Sequence, residues 1–72
     1  MQRSTIVRDI AAIAEVEKSF RYNYFIEHGE LHFVFVFHDG TTQKQQDHAK
    51  VWIANYFQPL RFMNYKFIIP ST

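Results

Sequence analysis

Residues 20–37 read FRYNYFIEHGELHFVFVF, two aromatic and β-branched runs on either side of His28-Gly29. Two such runs around a two-residue turn are a strong short-range hairpin signal. Gly29 supplies the positive φ that a tight primed turn needs. With a two-residue loop, Glu27 faces Glu30, Ile26 faces Leu31, Tyr24 faces Phe33, Tyr22 faces Phe35 and Phe20 faces Phe37. Side chains alternate along a strand, so the pairs from Ile26–Leu31 to Phe20–Phe37 share one uncharged, apolar face. A slip of one residue destroys that match, so the pattern fixes both turn and register.

The opposite face is mixed. It carries Arg21, Asn23 and Phe25 on the first strand and His32, Val34 and Val36 on the second. Solvated sheet faces are normally more polar, and an exposed apolar strip marks a partner surface. Strand propensity alone also accounts for β-branched residues there.

The chain has 72 residues and a formal charge of +1, with eight Phe, four Tyr, one Trp and no Cys. That length makes one domain, residues 1–72, and a chain this short is marginal by size. Disulfides and thiolate metal sites are excluded, so the aromatic load must supply the core, or a second copy must complete it. The small net charge gives no electrostatic case for nucleic acid or an anionic membrane. No apolar run approaches the ~20 residues that span a bilayer, and Arg8, Asp9 and Glu15 interrupt any signal-like apolar core at the N-terminus. The expected location is cytoplasmic.

Before the hairpin, Met1 to Arg3 read as frayed. Ser4 or Thr5 is the expected cap of a helix running to about Ser19. Ile6, Ile10, Ile13, Val16 and Phe20 recur at spacings of three and four, an apolar stripe suited to cover the aromatic face. Arg8, Asp9, Glu15 and Lys18 lie off it and read as solvated. After the hairpin, His38-Asp39-Gly40 is a turn, and Thr41 or Thr42 caps a second helix from Gln43 to Phe57. Its first half, to Lys50, reads as projecting into solvent, whereas Ala49, Trp52, Ile53 and Tyr56 share an apolar face. Pro59 breaks the helix. Leu60 to Ile69 reads as a third strand, with Met63, Tyr65, Phe67 and Ile69 on the core face and Phe62, Asn64, Lys66 and Ile68 on the mixed face. Pro70 ends it, and Ser71 and Thr72 are tail.

The order is α-β-β-α-β, an α+β two-layer sandwich with both helices on one face of a three-stranded sheet. The third strand docks either parallel beside the second or antiparallel beside the first. Either placement leaves an open edge, which invites pairing with a second copy or a partner strand.

Chemistry is sparse. His28, His32 and His38 are too far apart along the hairpin for one ion. His38, Asp39, Asp47 and His48 are the nearest to a cluster, yet they match no ligand motif, and no metal or cofactor is expected. Gly40, Thr41, Thr42 and Lys44 stand at a helix start, where free N–H groups favour anions; an ordinary cap explains the same residues. Ser4, Ser19 and Ser71 lie near no His–carboxylate pair, and Glu27 and Glu30 meet at an exposed tip, so no catalytic residue is expected. The element order resembles that of KH-type RNA-binding domains of the second topology. Their GXXG backbone clamp has no counterpart here, where the two glycines are Gly29 and Gly40, and the family is not assigned.

What remains is a small non-enzymatic interaction protein of inhibitor, adaptor or accessory-subunit size. The expected partner is another protein or a second copy, engaged through an open strand edge or through Arg21, Phe25, His32, Val34, Val36, Phe62, Asn64 and Lys66 on the mixed face. The alternative is single-stranded RNA or DNA, stacked on the aromatic groups of that face beside its cations.

Overall fold

The structure is a computed structural model that describes residues 2–70; Met1, Ser71 and Thr72, expected to be frayed end and tail, lie outside the described residues. The elements in chain order are α1 (Arg3–Glu17), β1 (Phe20–Glu27), β2 (Glu30–Phe37), α2 (Gln43–Phe57), a 3-10 turn (Gln58–Leu60) and β3 (Tyr65–Ile68). The sheet order is β1-β2-β3. β1 and β2 are antiparallel, and β3 runs parallel to β2. Of the two placements open to the third strand, the one beside β2 is realised. A parallel neighbour needs a long crossover, and α2 provides it.

The hairpin has the register that its apolar pattern dictates, from Glu27–Glu30 at the turn to Phe20–Phe37 at the far end. His28 has φ of 53° and Gly29 of 77°. Two consecutive positive values are the mark of a primed turn, whose twist suits the strands it joins.

Both helices cover most of the aromatic face, leaving Tyr24 and Ile26 half-exposed on the β1 edge. Ile6 and Ile10 from α1 and Ala49, Ile53 and Phe57 from α2 join Phe20, Leu31, Phe33, Phe35 and Phe37 in one buried core. Phe57 is the hub. Its ring lies 4.6 Å from Phe62, 4.8 Å from Tyr65 and 5.7 Å from Phe33 between centroids. Each buried Phe contributes about 1.5–3 kcal/mol of transfer energy, which is how a chain without cross-links builds a core.

Two polar clasps tie the helices together. The Tyr56 hydroxyl donates to Asp9 Oδ2 over 2.7 Å, and the His48 ring, through Nδ1, meets Glu17 Oε2 at 3.0 Å. Residue numbers rise along one helix as they fall along the other, so α1 and α2 are antiparallel. Asp9 is thus half-buried and bonded, where the sequence pattern placed it in solvent.

Other expectations are corrected at the element ends. α1 starts earlier than Ser4 or Thr5 could cap it. The Gln2 carbonyl already accepts from the Thr5 and Ile6 N–H groups, and the Arg3 guanidinium donates to the Gly29 carbonyl, holding the helix start to the hairpin turn. The helix stops at Lys18, whose φ of 60° is left-handed and whose N–H returns to the Ala14 carbonyl. The apolar stripe runs out with it: Val16 is 69% exposed, and Phe20 enters the core from β1 instead.

In α2 the Thr42 hydroxyl accepts from the Gln45 N–H, and the Gln45 side chain accepts from the Thr42 N–H, a reciprocal capping box. Most of the first half is exposed, as expected, but Gln46 is buried, and its amide donates to Thr41 Oγ1 at 3.1 Å.

The third strand is much shorter than Leu60 to Ile69. After Pro59 the chain turns through the 3-10 segment, and Arg61 takes a left-handed φ of 54°. That breaks the two-residue alternation. Phe62 swings to the helix side, stacked on Phe57, while Met63 becomes 85% exposed and Ile69 50% exposed. Only from Tyr65 onward does the expected alternation hold, with Tyr65 and Phe67 toward the core and Lys66 and Ile68 outward.

Candidate functional site

Alternation along three paired strands assembles the outer face of the sheet. Arg21, Val36 and Ile68 form one row across it, and Asn23, Val34 and Lys66 the next. Phe25 and His32 form a third, their rings stacked with centroids 5.1 Å apart and planes 6° from parallel. Glu27 and Glu30 close the face at the turn. Val34 and Val36 sit on the central strand and are half-covered by neighbouring rows, whereas Phe25 and Ile68 are exposed. Both helices lie on the other side, so among the described residues no element covers this face.

Arg21 stands at one end of this face and the two glutamates at the other, with Lys66 between them beside Val34. Asn64, just before β3, donates from Nδ2 to Glu30 Oε2 at 3.2 Å, tying the turn end of β2 to the approach of β3. A shallow open depression of about 380 Å³ lies between Phe25, His32, Val34, Asn64 and Lys66.

The structure therefore brings together Arg21, Phe25, His32, Val34, Val36 and Lys66, with Asn64 at the rim. Phe62 does not join them. The left-handed turn at Arg61 puts it into the core against Phe57 and Phe33.

Gly40, Thr41, Thr42 and Lys44 form the helix start. Thr41 bonds the His38 carbonyl through its hydroxyl at 3.1 Å, and Thr42 is engaged in the capping box. Gly40 has φ of 84°, the conformation that a glycine takes cheaply. Thr41 and Thr42 are thus engaged within the chain itself. Of His38, Asp39, Asp47 and His48, the last two are engaged in bonds of the fold. His48 pairs with Glu17, and Asp47 accepts from Gln43 at 2.9 Å. Among the described residues no group of three or more His, Asp or Glu converges in metal-binding geometry.

Burial, the hydrogen bond to Asp9 and the nearby Asp9 charge push the Tyr56 hydroxyl up to about 12. The same proton is held in the interhelical bond, which is a structural use for it. Sequence reasoning missed this clasp and that of Glu17 with His48. Each partner is a polar residue on a helix, and only the antiparallel docking of α1 on α2 brings the pairs together.

Among the described residues no helix is long and apolar enough to cross a membrane. Comparison with protein-family models, with curated proteins and with solved structures finds no match for this chain.

Proposed function

We propose that this chain is a small non-enzymatic interaction module, of inhibitor, adaptor or accessory-subunit type, that docks another protein on its exposed sheet. The observation that carries this is the uncovered outer face. Val34, Val36, Ile68 and the stacked Phe25–His32 pair form a continuous apolar strip, with Arg21 at one end, Lys66 alongside Val34 and the carboxylates of Glu27 and Glu30 at the other end. A centre of apolar and aromatic groups with a charged rim is the anatomy of a protein interface. Single-stranded nucleic acid is the second reading, favoured by the near-coplanar Phe25–His32 pair beside Lys66. Glu27 and Glu30 on the same face repel phosphate, which ranks it second.

The test is site-specific photo-crosslinking from position 34 or 25, with position 15 on the exposed side of α1 as control. Capture of a discrete protein from position 34 that is lost in Lys66→Glu supports the reading. Equal capture from position 15 sinks it. Crosslinking to nucleic acid with steep salt dependence supports the second reading instead.

A further inference from the structure

We propose that β1 pairs along its free edge with β1 of a second copy, antiparallel about a two-fold axis at Tyr24, joining the two three-stranded sheets into one. This inference rests on reading the chain as an interaction protein, but it uses the sheet edge rather than the outer face.

The two edges of the sheet are built differently. β3 is four residues long, contains Lys66, follows the left-handed Arg61 and is followed closely by Pro70. Short length, charged side chains (lysine above all) and proline are the devices that blunt an edge against pairing. β1 has only the charges of Arg21 and Glu27. It is eight residues long, contains neither Pro nor Lys, and pairs with β2 through consecutive partners without a bulge. A long, regular edge of this kind is a ready template for pairing with another strand.

The backbone phase says which groups that strand meets. His38 donates its N–H to the Ser19 carbonyl at 3.0 Å, so Ser19 is a hydrogen-bonded partner of β2. Antiparallel ladders alternate. Arg21, Asn23, Phe25 and Glu27 therefore direct their backbone groups to β2, and Phe20, Tyr22, Tyr24 and Ile26 direct theirs outward. Tyr24 is 52% exposed and Ile26 50% exposed. They border an open groove of about 460 Å³ whose floor includes Val7 and Leu31.

Charge then selects the register and identifies that strand as a second copy's. Outward-facing residues must meet outward-facing residues. Centring the pair on Tyr24 sets Tyr22 against the partner's Ile26 and Tyr24 against the partner's Tyr24. On the other face it sets Arg21 against the partner's Glu27, in the non-hydrogen-bonded position where opposed side chains are closest. The two-fold repeats that ion pair on the other side of the axis. Centring on Asn23 leaves Arg21 against Phe25, and centring on Phe25 sets Glu27 against Asn23. Only the Tyr24 register pairs both charges, and Arg21 forms no ion pair among the described residues of its own chain.

The experiment is sedimentation equilibrium over a concentration series on the whole chain. The wild type is expected to self-associate. Arg21→Glu and Glu27→Arg each place like charges opposite one another on both sides of the axis, and each is expected to weaken association ~10-fold. The double variant R21E/E27R restores both ion pairs and is expected to recover wild-type association. A single-cysteine variant, Tyr24→Cys, is expected to form a disulfide dimer, since directly opposed hydrogen-bonded residues stand ~5.5 Å apart between Cα atoms. Where Tyr24→Cys does not fold, amide exchange in the wild type serves. The Tyr22, Tyr24 and Ile26 N–H groups are expected to gain protection as concentration rises. A monomer at all concentrations overturns the inference, as does a double variant no better than the single ones. A monomer that still captures a protein from position 34 overturns it and leaves the outer-face reading standing. A dimer with rescue, but no specific capture from position 34, overturns only that reading.

Discussion

The Tyr56 hydroxyl and the Asp9 carboxylate, 2.7 Å apart, join the middle of one helix to the far part of the other. The bond needs the Tyr56 proton, and the folded state holds it up to about 12, against an ordinary value of 10.0. Above the ordinary value the unfolded chain has released this proton while the folded chain has not. Stability from this group is therefore full below about pH 10 and falls as pH rises toward about 12. The expected result is a tyrosinate absorbance step near about pH 12 that disappears in Tyr56→Phe. A wild-type titration with no late step overturns this account.

Phe57 is expected to be the most costly side chain to truncate. It is fully buried and has Phe33, Phe35, Tyr56, Phe62 and Tyr65 around its ring. Phe57→Ala is expected to lose about 3–5 kcal/mol in urea unfolding. That is about a third or more of the stability of a domain this small, at roughly 0.05–0.15 kcal/mol per residue. Val16→Ala, on the same apolar stripe of α1 but 69% exposed, is expected to change stability by less than about 0.5 kcal/mol. Similar losses for the two variants contradict this placement of the core.

His28 holds a left-handed φ of 53° without the freedom of glycine. Asn tolerates that region better, and Asn-Gly is the favoured pair for a primed turn. His28→Asn is expected to raise the thermal midpoint, with a gain on the order of 0.5–1 kcal/mol. An unchanged or lower midpoint would show that the His28 ring contributes more at the turn than its backbone costs.

The hairpin and its pairing were legible because period-two alternation with bulky residues leaves one register that buries them all. α2 was legible at both ends, because Thr42 can cap and Pro59 cannot continue a helix. The region from Leu60 to Asn64 was not. Its residues alternate like a strand, and nothing in their types announces that Arg61 turns left-handed. One unanticipated φ value moved Phe62 from the outer face into the core and put Met63 into solvent. The candidate surface was legible wherever it lay on the hairpin and on Lys66, and was misjudged only beyond that break. The two helix clasps were invisible because they depend on how α1 and α2 slide against each other, which no single-helix pattern encodes.

The place of β2 in the middle of the sheet has a consequence for biosynthesis. Leu31 to Phe37, LHFVFVF, is an uncharged, proline-free run of the kind that seeds fibrils. In the finished fold β1 and β3 guard both of its edges and the helices bury its aromatic side. The ribosome makes β3 only after α2, so a nascent chain carries this run with one side unguarded while α2 is being made. Chains truncated after Leu60 are expected to scatter light on release at concentrations where the full chain stays clear. Clear solutions of both would mean that α2 alone is enough to protect the run.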